Sequence, residues 1–275
     1  MNDIPDITLN NGVTIPQLGF GTFQIDPSDT AAAVHAALDI GYRHIDTAQM
    51  YRNEAEVAEG VRRSGLDRDE VFLTSKLDNE FHDPDEATAA FDRTLERMEL
   101  DHLDLFLIHW PLPQVGDFVE TWRALEQIAD SGRSCAIGVS NFEPHHLERL
   151  TSAGLTVPAV NQVECHPYLP QDALRTVDRD LGIVTEAWSP IAQGKVLDDE
   201  CIVEIAQRVD RTPAQVTLRW HLQRGDVVFP KSGHRERMEE NFAVTDFELS
   251  DADMSAIGEM GRDDGRLGPH PDEMN

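Results

Sequence analysis

The sequence predicts an α/β protein, a (β/α)8 TIM barrel with an N-terminal β-hairpin and extra C-terminal helices. Three observations carry this prediction. Short apolar runs alternate with longer amphipathic segments, there are eight such runs, and each is followed by a helical pattern. The chain has 275 residues, 40% of them hydrophobic, and a barrel of this size commonly forms one domain. We therefore expect residues 1–275 to fold as a single domain.

The first expected element is the hairpin. The segment ITLNNGVTIPQ, residues 7–17, alternates apolar and polar residues around an Asn-Gly pair. Asn-Gly favours the tight turn that joins two antiparallel strands. We expect this hairpin to close the bottom of the barrel.

The expected barrel strands are short runs rich in β-branched and aromatic residues. They are residues 18–23, 43–48, 71–76, 103–110, 135–141, 159–164, 183–188 and 226–231.

Helical patterns separate these strands, and several begin with a polar residue and end with glycine, as helix caps require. They are residues 29–40, 53–64, 85–99, 117–132, 144–154, 169–182, 201–210 and 212–225, followed by the closing helices 234–242 and 250–261.

Charge is the most unusual bulk feature of the chain. The 51 acidic residues outnumber the 23 basic ones, so the formal net charge is −28. This charge excludes nucleic acid as an expected partner. The only lysines are Lys76, Lys195 and Lys231. An acidic, lysine-poor surface spread along the whole chain favours a halophilic source, and an acidic face for a cationic partner is the alternative.

The sequence also predicts where the protein works. No stretch approaches the roughly 18 apolar residues of a membrane span, and the first residues are acidic and polar where a signal peptide would be basic and then apolar. We expect a cytoplasmic protein with no membrane partner. Cys135, Cys165 and Cys201 form no CxxC pair, and we interpret them as reduced thiols.

Four different functional groups lie where strands of such a barrel end, and barrels of this kind work at that rim. Asp46 ends the second expected strand, Tyr51 follows in its loop, Lys76 ends the third strand and His109 lies near the end of the fourth. Lys76 is the most informative, because lysine is rare here and a buried ammonium needs a partner. Asp46 is the natural partner.

This constellation suits carbonyl reduction. A carbonyl that accepts hydride builds negative charge on its oxygen, so the site must supply a proton or strong donors. A phenol is a poor acid at neutral pH unless a nearby cation stabilises the phenolate. We expect Lys76, held by Asp46, to do this for Tyr51 as general acid, while His109 orients the substrate.

These segments resemble the aldo-keto reductases. GYRHIDTAQMYRNE, LTSKL and LIHWP are similar to the three catalytic segments of that family, and LGFGTF, GVSNF, NQVECHPY, WSPIAQGK, FPKSGHRERMEEN and HPDE match in the same order. The resemblance covers essentially the whole chain and is closest to the prokaryotic branch with the 2,5-diketo-D-gluconate reductases. It implies NADP(H)-dependent reduction of aldehydes or ketones, including α-diketones or keto-sugars, with NADP(H) bound without a Rossmann domain.

The resemblance also implies roles for individual residues. The catalytic tetrad would be Asp46, Tyr51, Lys76 and His109. Ser140, Asn141 and Gln162 would hold the nicotinamide carboxamide, and Trp188 would stack on the nicotinamide ring. Residues 189–195, beginning at Ser189, would cover the pyrophosphate.

The segment PKSGHRERMEEN bears on the choice of dinucleotide. The resemblance places Lys231, Ser232 and Arg237 around the adenosine 2′-phosphate, where cations favour its charge, and Glu240 and Asn241 against the adenine. Gly233 and His234 depart from the family's usual residues. The use of NAD(H) beside NADP(H) therefore stays open.

The expected substrate is a small-molecule carbonyl compound. Phe23, Met50 and Trp110 would line an apolar mouth beside His109. The chain ends soon after the last expected helix, so the long carboxyl-terminal substrate loop of mammalian relatives is abbreviated and an open pocket follows. Family members are often monomers, and we expect a monomer here.

Two other function classes stay open. One is an NADP(H)-binding redox-sensing module with little turnover, which a substrate screen would distinguish from an enzyme. The other is a metal-dependent barrel hydrolase with His44, His109, His166 and Asp46 as ligands. Their spacing fits no compact ligand pattern, so we expect no metal.

Overall fold

The protein is a closed barrel of parallel strands surrounded by helices, as seen in a computed structural model that describes residues 4–274. The strands are β1 (Asp6–Thr8), β2 (Thr14–Pro16), β3 (Phe20–Gly21), β4 (His44–Asp46), β5 (Phe72–Leu77), β6 (Leu103–Ile108), β7 (Ser134–Ser140), β8 (Val160–Glu164), β9 (Val184–Trp188) and β10 (Val227–Val228). The helices are α1 (Pro27–Ile40), α2 (Glu54–Ser64), α3 (Pro84–Met98), α4 (Phe118–Asp130), α5 (Pro144–Ser152), α6 (Asp172–Leu181), α7 (Glu200–Val209), α8 (Pro213–Arg224), α9 (Arg235–Phe242) and α10 (Asp251–Gly258).

The barrel strands β3 to β10 pair in chain order, each parallel to the next. The ring closes because Val228 in β10 bridges back to Leu18, just before β3. Val228 N–H donates to the Gln17 carbonyl, and Gly19 N–H donates to the Val228 carbonyl. The predicted (β/α)8 fold is confirmed, and each of the eight expected strands overlaps an observed one.

The predicted hairpin is confirmed as well, with Ile7 opposite Ile15. Ile15 packs into an apolar cluster inside the barrel that includes Leu105 and Val160. The Asn10 amide donates to the Pro158 carbonyl just before β8, at 2.9 Å. The hairpin therefore covers the amino ends of the strands, which leaves the carboxyl ends for function.

The outer core lies between the strands and the helices, where residues such as Phe91, Phe106 and Trp122 are fully buried. Within residues 4–274, none of the helices combines the length and the apolar character that a membrane crossing requires. The organisation of the chain as one domain stays a prediction.

Candidate active site

The four residues singled out at the strand ends meet at the carboxyl rim of the barrel. Asp46 is the last residue of β4, Lys76 lies near the end of β5, and His109 directly follows β6. Tyr51 ends a short 3-10 helix, Gln49–Tyr51, that follows β4. Neighbouring parallel strands bring these positions together, because their carboxyl ends share one edge.

Lys76 and Asp46 form a buried ion pair. The Lys76 ammonium lies 2.7 and 2.8 Å from the two carboxylate oxygens of Asp46, and it also donates to the Thr47 carbonyl at 2.8 Å. Lys76 is fully buried. Burial alone would lower the pKa of Lys76, but Asp46 and Tyr51 together outweigh burial and raise the pKa above its usual value. The lysine is therefore a permanent cation.

The Tyr51 hydroxyl is the next neighbour of this cation. Lys76 Nζ lies 3.4 Å from the hydroxyl oxygen and 5.0 Å from the ring centroid. Burial raises the pKa of Tyr51, and Lys76 works against that rise. The expected lowering by Lys76 is thus present, but in this structure burial outweighs it, and the phenol stays protonated at neutral pH.

The loop that carries Tyr51 is held by buried polar contacts. Thr47 donates to the Asn53 side-chain oxygen at 2.9 Å, and the Asn53 amide donates to the Thr22 carbonyl at 3.1 Å. The Gln49 amide donates to Thr94 of α3 at 2.9 Å. These bonds join the loop to neighbouring elements, so the Tyr51 hydroxyl is directed at Lys76 before any substrate arrives.

His109 completes the group. Its ring meets the Tyr51 ring edge-on, with centroids 5.8 Å apart. Burial and the nearby Lys76 hold the pKa of His109 well below its usual value, so the imidazole is neutral. A neutral imidazole has one N–H to donate, and among the described residues its buried Nδ1 has no partner.

Gln162 lies beneath this group and makes two contacts that sequence reasoning missed. Its amide nitrogen donates to Asp46 at 2.9 Å and to Glu186 at 2.7 Å. Glu186 is fully buried in β9. The signal was present in IVTEAW, because an acid in the middle of an apolar strand must find a buried partner.

Ser140, Asn141 and Trp188 form a hydrogen-bonded series beside His109. The Ser140 hydroxyl donates to the backbone carbonyl of Gln162 at 2.8 Å. The Asn141 amide donates to the His109 carbonyl, and the Trp188 indole N–H donates to the Asn141 side-chain oxygen, both at 2.9 Å. Trp188 is half-buried, so part of its ring is free to meet a ligand.

The loop after β9 bends sharply. Ser189, Ala192 and Gln193 all adopt positive φ, between 49° and 53°. This left-handed backbone is uncommon for residues other than glycine and often marks functional loops. The loop ends at the exposed Lys195.

Few basic side chains in the described part of the chain lack an ion pair. The basic residues without an ion pair in residues 4–274 are Arg43, Arg52, Arg93, Lys195, Lys231 and Arg237. The last three lie on the segments after β9 and β10 that the resemblance assigned to the cofactor. The neighbouring Arg235 is instead held by Asp39 and Glu239.

The other residues predicted near the adenosine lie around the start of α9 and along it. The Ser232 hydroxyl accepts the backbone N–H of His234, the residue just before α9, at 3.0 Å. Glu240 accepts a hydrogen bond from the Thr212 hydroxyl at 2.8 Å. Asn241 is buried. Each of these side chains is therefore hydrogen-bonded to another part of the protein or buried in it.

Apolar side chains surround the mouth above Tyr51. Among residues 4–274 the exposed large hydrophobic residues are Phe23, Met50 and Val115, and all three lie on loops that follow barrel strands. The centroids of the Phe23 and Tyr51 rings lie 5.0 Å apart. Trp110 is instead buried. Val115 was missed because its loop shows no periodicity.

The segment after α10, residues 262–274, which we term the tail, is bound to the same rim. The Glu164 carboxylate accepts the backbone N–H groups of Leu267 and Gly268 at 2.5 and 2.9 Å. A Cβ on Gly268 would lie 2.7 Å from the Trp188 ring, so only glycine fits without a shift. The tail thus borders the half-buried face of Trp188.

Two of the three histidines considered as metal ligands have other partners. His44 contacts the Thr74 hydroxyl at 3.1 Å, and His166 contacts Glu164 at 2.9 Å. Among residues 4–274, the groups of three or more ligand-type side chains with ligand atoms within 4.8 Å of one another contain neither His44, His109 nor His166.

Comparison with known proteins adds independent information. The model of the Aldo/keto reductase family matches residues 17–262. An aldo-keto reductase of Mycolicibacterium smegmatis is 51% identical, and the match covers 98% of each chain. The glyoxal reductase of Bacillus subtilis is 47% identical over 98% of this chain and 96% of its own. The crystal structure of a Gox0644 mutant in complex with NADPH superposes with a TM-score of 0.96, at 44% identity and 99% coverage of each chain.

Proposed function

Because the chain belongs to the aldo/keto reductase family and is an NADP(H)-dependent oxidoreductase, we propose that it reduces small aldehydes and ketones, α-dicarbonyls in particular, to alcohols. The observation that carries this proposal is the buried Lys76–Asp46 pair beneath the Tyr51 hydroxyl. It places a proton donor beside a fixed cation at the rim where barrels of this kind work.

Bound NADPH supplies a hydride to the carbonyl carbon, and the carbonyl oxygen must gain a proton. Tyr51 gives that proton and is left as a phenolate. Lys76, 3.4 Å away, stabilises the phenolate, and Asp46 keeps the lysine charged and in place. The ammonium is already ordered before reaction, so little reorganisation is needed when the charge develops.

His109 acts as a neutral donor to the same oxygen. Its low pKa means that it carries one N–H and no charge near pH 7. A neutral donor can orient the carbonyl without adding a second cation next to Lys76. Its backbone carbonyl is held by Asn141, which fixes the position from which the ring acts.

The rim fits a nicotinamide dinucleotide. Trp188 presents part of an aromatic ring for stacking, and its indole N–H is fixed by Asn141. Gln162 and Ser140 supply the polar contacts to the carboxamide. The left-handed turn beginning at Ser189, with Lys195, which has no ion pair among the described residues, would cover the pyrophosphate.

The residues proposed to bind the adenosine half of the cofactor favour NADPH over NADH. Lys231 and Arg237 are exposed cations without an ion pair in the described chain, which is unusual in a protein of net charge −28. They bind the 2′-phosphate together with the Ser232 hydroxyl, and Glu240 and Asn241 contact the adenine. NAD(H) lacks the 2′-phosphate and would be the weaker cofactor.

The substrate class follows from the mouth. Phe23 packs beside Tyr51, and Met50 and Val115 are exposed apolar side chains on other rim loops; an apolar border made of such residues would suit small carbonyls with alkyl or aryl groups. The match to a glyoxal reductase supports α-dicarbonyls as the first class to test. Keto-sugars belong in the same panel, because the resemblance to the 2,5-diketo-D-gluconate reductases predicts them.

The test is NADPH oxidation with a panel of aldehydes, α-dicarbonyls and keto-sugars, comparing the parent protein with Tyr51→Phe. We expect the variant to lose roughly 10²- to 10⁴-fold in single-turnover rate, the usual value of a positioned proton donor. Its affinity for NADPH should be unchanged.

Tyr168→Phe is the matched control, since it removes a hydroxyl away from Lys76 that donates to Asp199 and to the Lys195 carbonyl. At saturating NADPH its single-turnover rate should match that of the parent. An unaltered rate in Tyr51→Phe would contradict the proposed acid. Tight NADPH binding by a parent that reduces none of the panel would favour a sensing module instead.

A further inference from the structure

Glu186 is a buried acid inside the barrel that the mechanism above does not use. It lies in β9, paired with Gln162 of β8 on one side and Val227 of β10 on the other. The residue is fully buried. Its carboxylate accepts the Gln162 amide at 2.7 Å, and its second oxygen has no partner among the described residues.

This contact determines the orientation of the Gln162 side chain. The amide nitrogen has two hydrogens, and both are used, one by Glu186 and the other by Asp46 at 2.9 Å. A rotated amide would turn its oxygen toward the Asp46 carboxylate, which can only accept. The carbonyl oxygen is therefore the atom of Gln162 that remains for a ligand, and it can accept from the N–H₂ group of a carboxamide.

The charges around Glu186 are few. Asp46 of β4 and Lys76 of β5 are the charged groups that act on it, while Gln162 and Val227 are its neighbours on the adjoining strands. Burial and then Asp46 raise the pKa of Glu186 to about 8, against smaller opposing effects of Gln162 and Lys76. At neutral pH the carboxyl group is protonated, so the charges of Asp46 and Lys76 balance.

We propose that Glu186 is a positioning residue for the reductase reaction, acting through Gln162, whose amide it and Asp46 hold with the carbonyl oxygen offered to the nicotinamide carboxamide. This inference rests on the proposed function. It also has an electrostatic consequence. When Glu186 ionises, a second buried negative charge lies beside Asp46 and opposes the phenolate that forms on Tyr51.

The first test is the pH dependence of turnover in Glu186→Gln, which keeps the shape and an acceptor oxygen but stays neutral. In the parent we expect the single-turnover rate to fall with an apparent pKa near 8, the value raised by burial. In the variant this alkaline decline should move upward by at least about one pH unit. At neutral pH the two rates should agree within roughly threefold.

Asp178→Asn is the matched control. Asp178 is also a buried acid, with a pKa raised by burial to about 7, but its carboxyl group is hydrogen-bonded to Asn161 and Thr185 and not to Gln162. Its replacement removes a titrating carboxyl group of the same kind. The alkaline decline of the parent should persist in this variant.

The second test separates positioning from general folding. Glu186→Leu removes the acceptor, so the Gln162 amide loses one of its two partners. We expect NADPH to bind roughly 3- to 10-fold more weakly, the typical loss for one hydrogen bond. Adenosine 2′,5′-bisphosphate, which lacks the nicotinamide half, should bind as it does to the parent.

The outcomes are distinguishable. Coincident pH profiles for the parent and Glu186→Gln, with unchanged NADPH affinity in Glu186→Leu, would overturn the role of Glu186. Equal losses for NADPH and the bisphosphate would also overturn it, because they would indicate a structural role. A parent that reduces no carbonyl substrate would instead refute the proposed function, and the two binding measurements would still report on Gln162.

Discussion

At the scale of single residues, one of the three lysines, Lys76, lies buried in the candidate active site. Lys76 is fully buried and is held by Asp46 and the Thr47 carbonyl. Removing only one member of such a pair leaves an uncompensated buried charge, which is strongly destabilising. The pair is therefore a structural requirement as well as a proposed catalytic one.

Arg237 carries a prediction at the same scale. It is exposed and has no ion pair in the described chain, whereas Arg235 two positions earlier is held by Asp39 and Glu239. Arg237→Ala should weaken NADPH binding by roughly 10- to 100-fold, because a charge-assisted hydrogen bond to phosphate is lost. NADH affinity should change little, and both are measured by quenching of tryptophan fluorescence.

Arg235→Ala is the control for this prediction, since it removes the same charge from the same helix. Its affinity for NADPH should stay near that of the parent. Equal losses for NADPH and NADH in Arg237→Ala would show that Arg237 does not contact the 2′-phosphate.

At the scale of elements, several side chains hold the tail, among them Glu164, Glu143 and Gln114. Burial disfavours the ionised form of Glu164, but hydrogen bonds from His166, Gly268 and Leu267 outweigh burial and lower its pKa. A lowered pKa stabilises the docked tail above the ordinary pKa of a glutamate, and this stabilisation is lost as the pH falls through the folded value. The ionised Glu164 thus contributes to the docking of the tail.

Glu164→Ala should loosen the tail around Leu267 and Gly268 without unfolding the barrel. We expect faster trypsin cleavage after Arg262 and Arg266, because two backbone N–H groups lose their acceptor. Limited proteolysis with mass spectrometry measures this. Glu259→Ala, which removes an exposed acid that binds only Ser255, is the control, and identical cleavage rates in all three proteins would contradict the docking role.

At the scale of the whole molecule, net charge is the dominant feature. With a formal charge of −28, like charges repel across the surface, and salt screens this repulsion within a few ångströms at molar concentration. Most arginines are paired with acids at the surface, and such pairs contribute little each. We propose that the composition reflects adaptation to high salt.

The thermal unfolding midpoint should therefore rise by several degrees between about 0.05 and about 2 M KCl, as screening relieves the self-repulsion. Differential scanning calorimetry at fixed pH measures it. A midpoint that falls with KCl would show that the surface ion pairs outweigh the repulsion, and the halophilic interpretation would fail. The alternative of an acidic face for a cationic partner would then gain support.

Much of the architecture was readable from local pattern. The alternation of strand and helix signals predicted all eight barrel strands, because a strand buried on both sides needs an apolar run and each return helix needs an apolar stripe. Asp46, Tyr51, Lys76 and His109 were predictable together, because each lies at or just beyond the end of a strand. Their meeting at one rim follows from the parallel order of those strands.

The partners of these residues were not readable in the same way. Gln162 and Glu186 are 24 positions apart in the chain, and only the closed barrel brings both amide hydrogens of Gln162 onto two acids. The net effect on Tyr51 depended on how much water its hydroxyl loses, which is a property of the packed site.

The sequence by itself determined the fold class, the four rim residues and the acidic character, because each follows from residue type and spacing along the chain. The tertiary structure alone decided that the Gln162 amide is held by two carboxyl groups and that Glu164 binds the tail. It also decided which of the described arginines have no ion pair. These facts depend on distances between residues far apart in the chain and on burial, which sets the strength of every charge and hydrogen bond in the site.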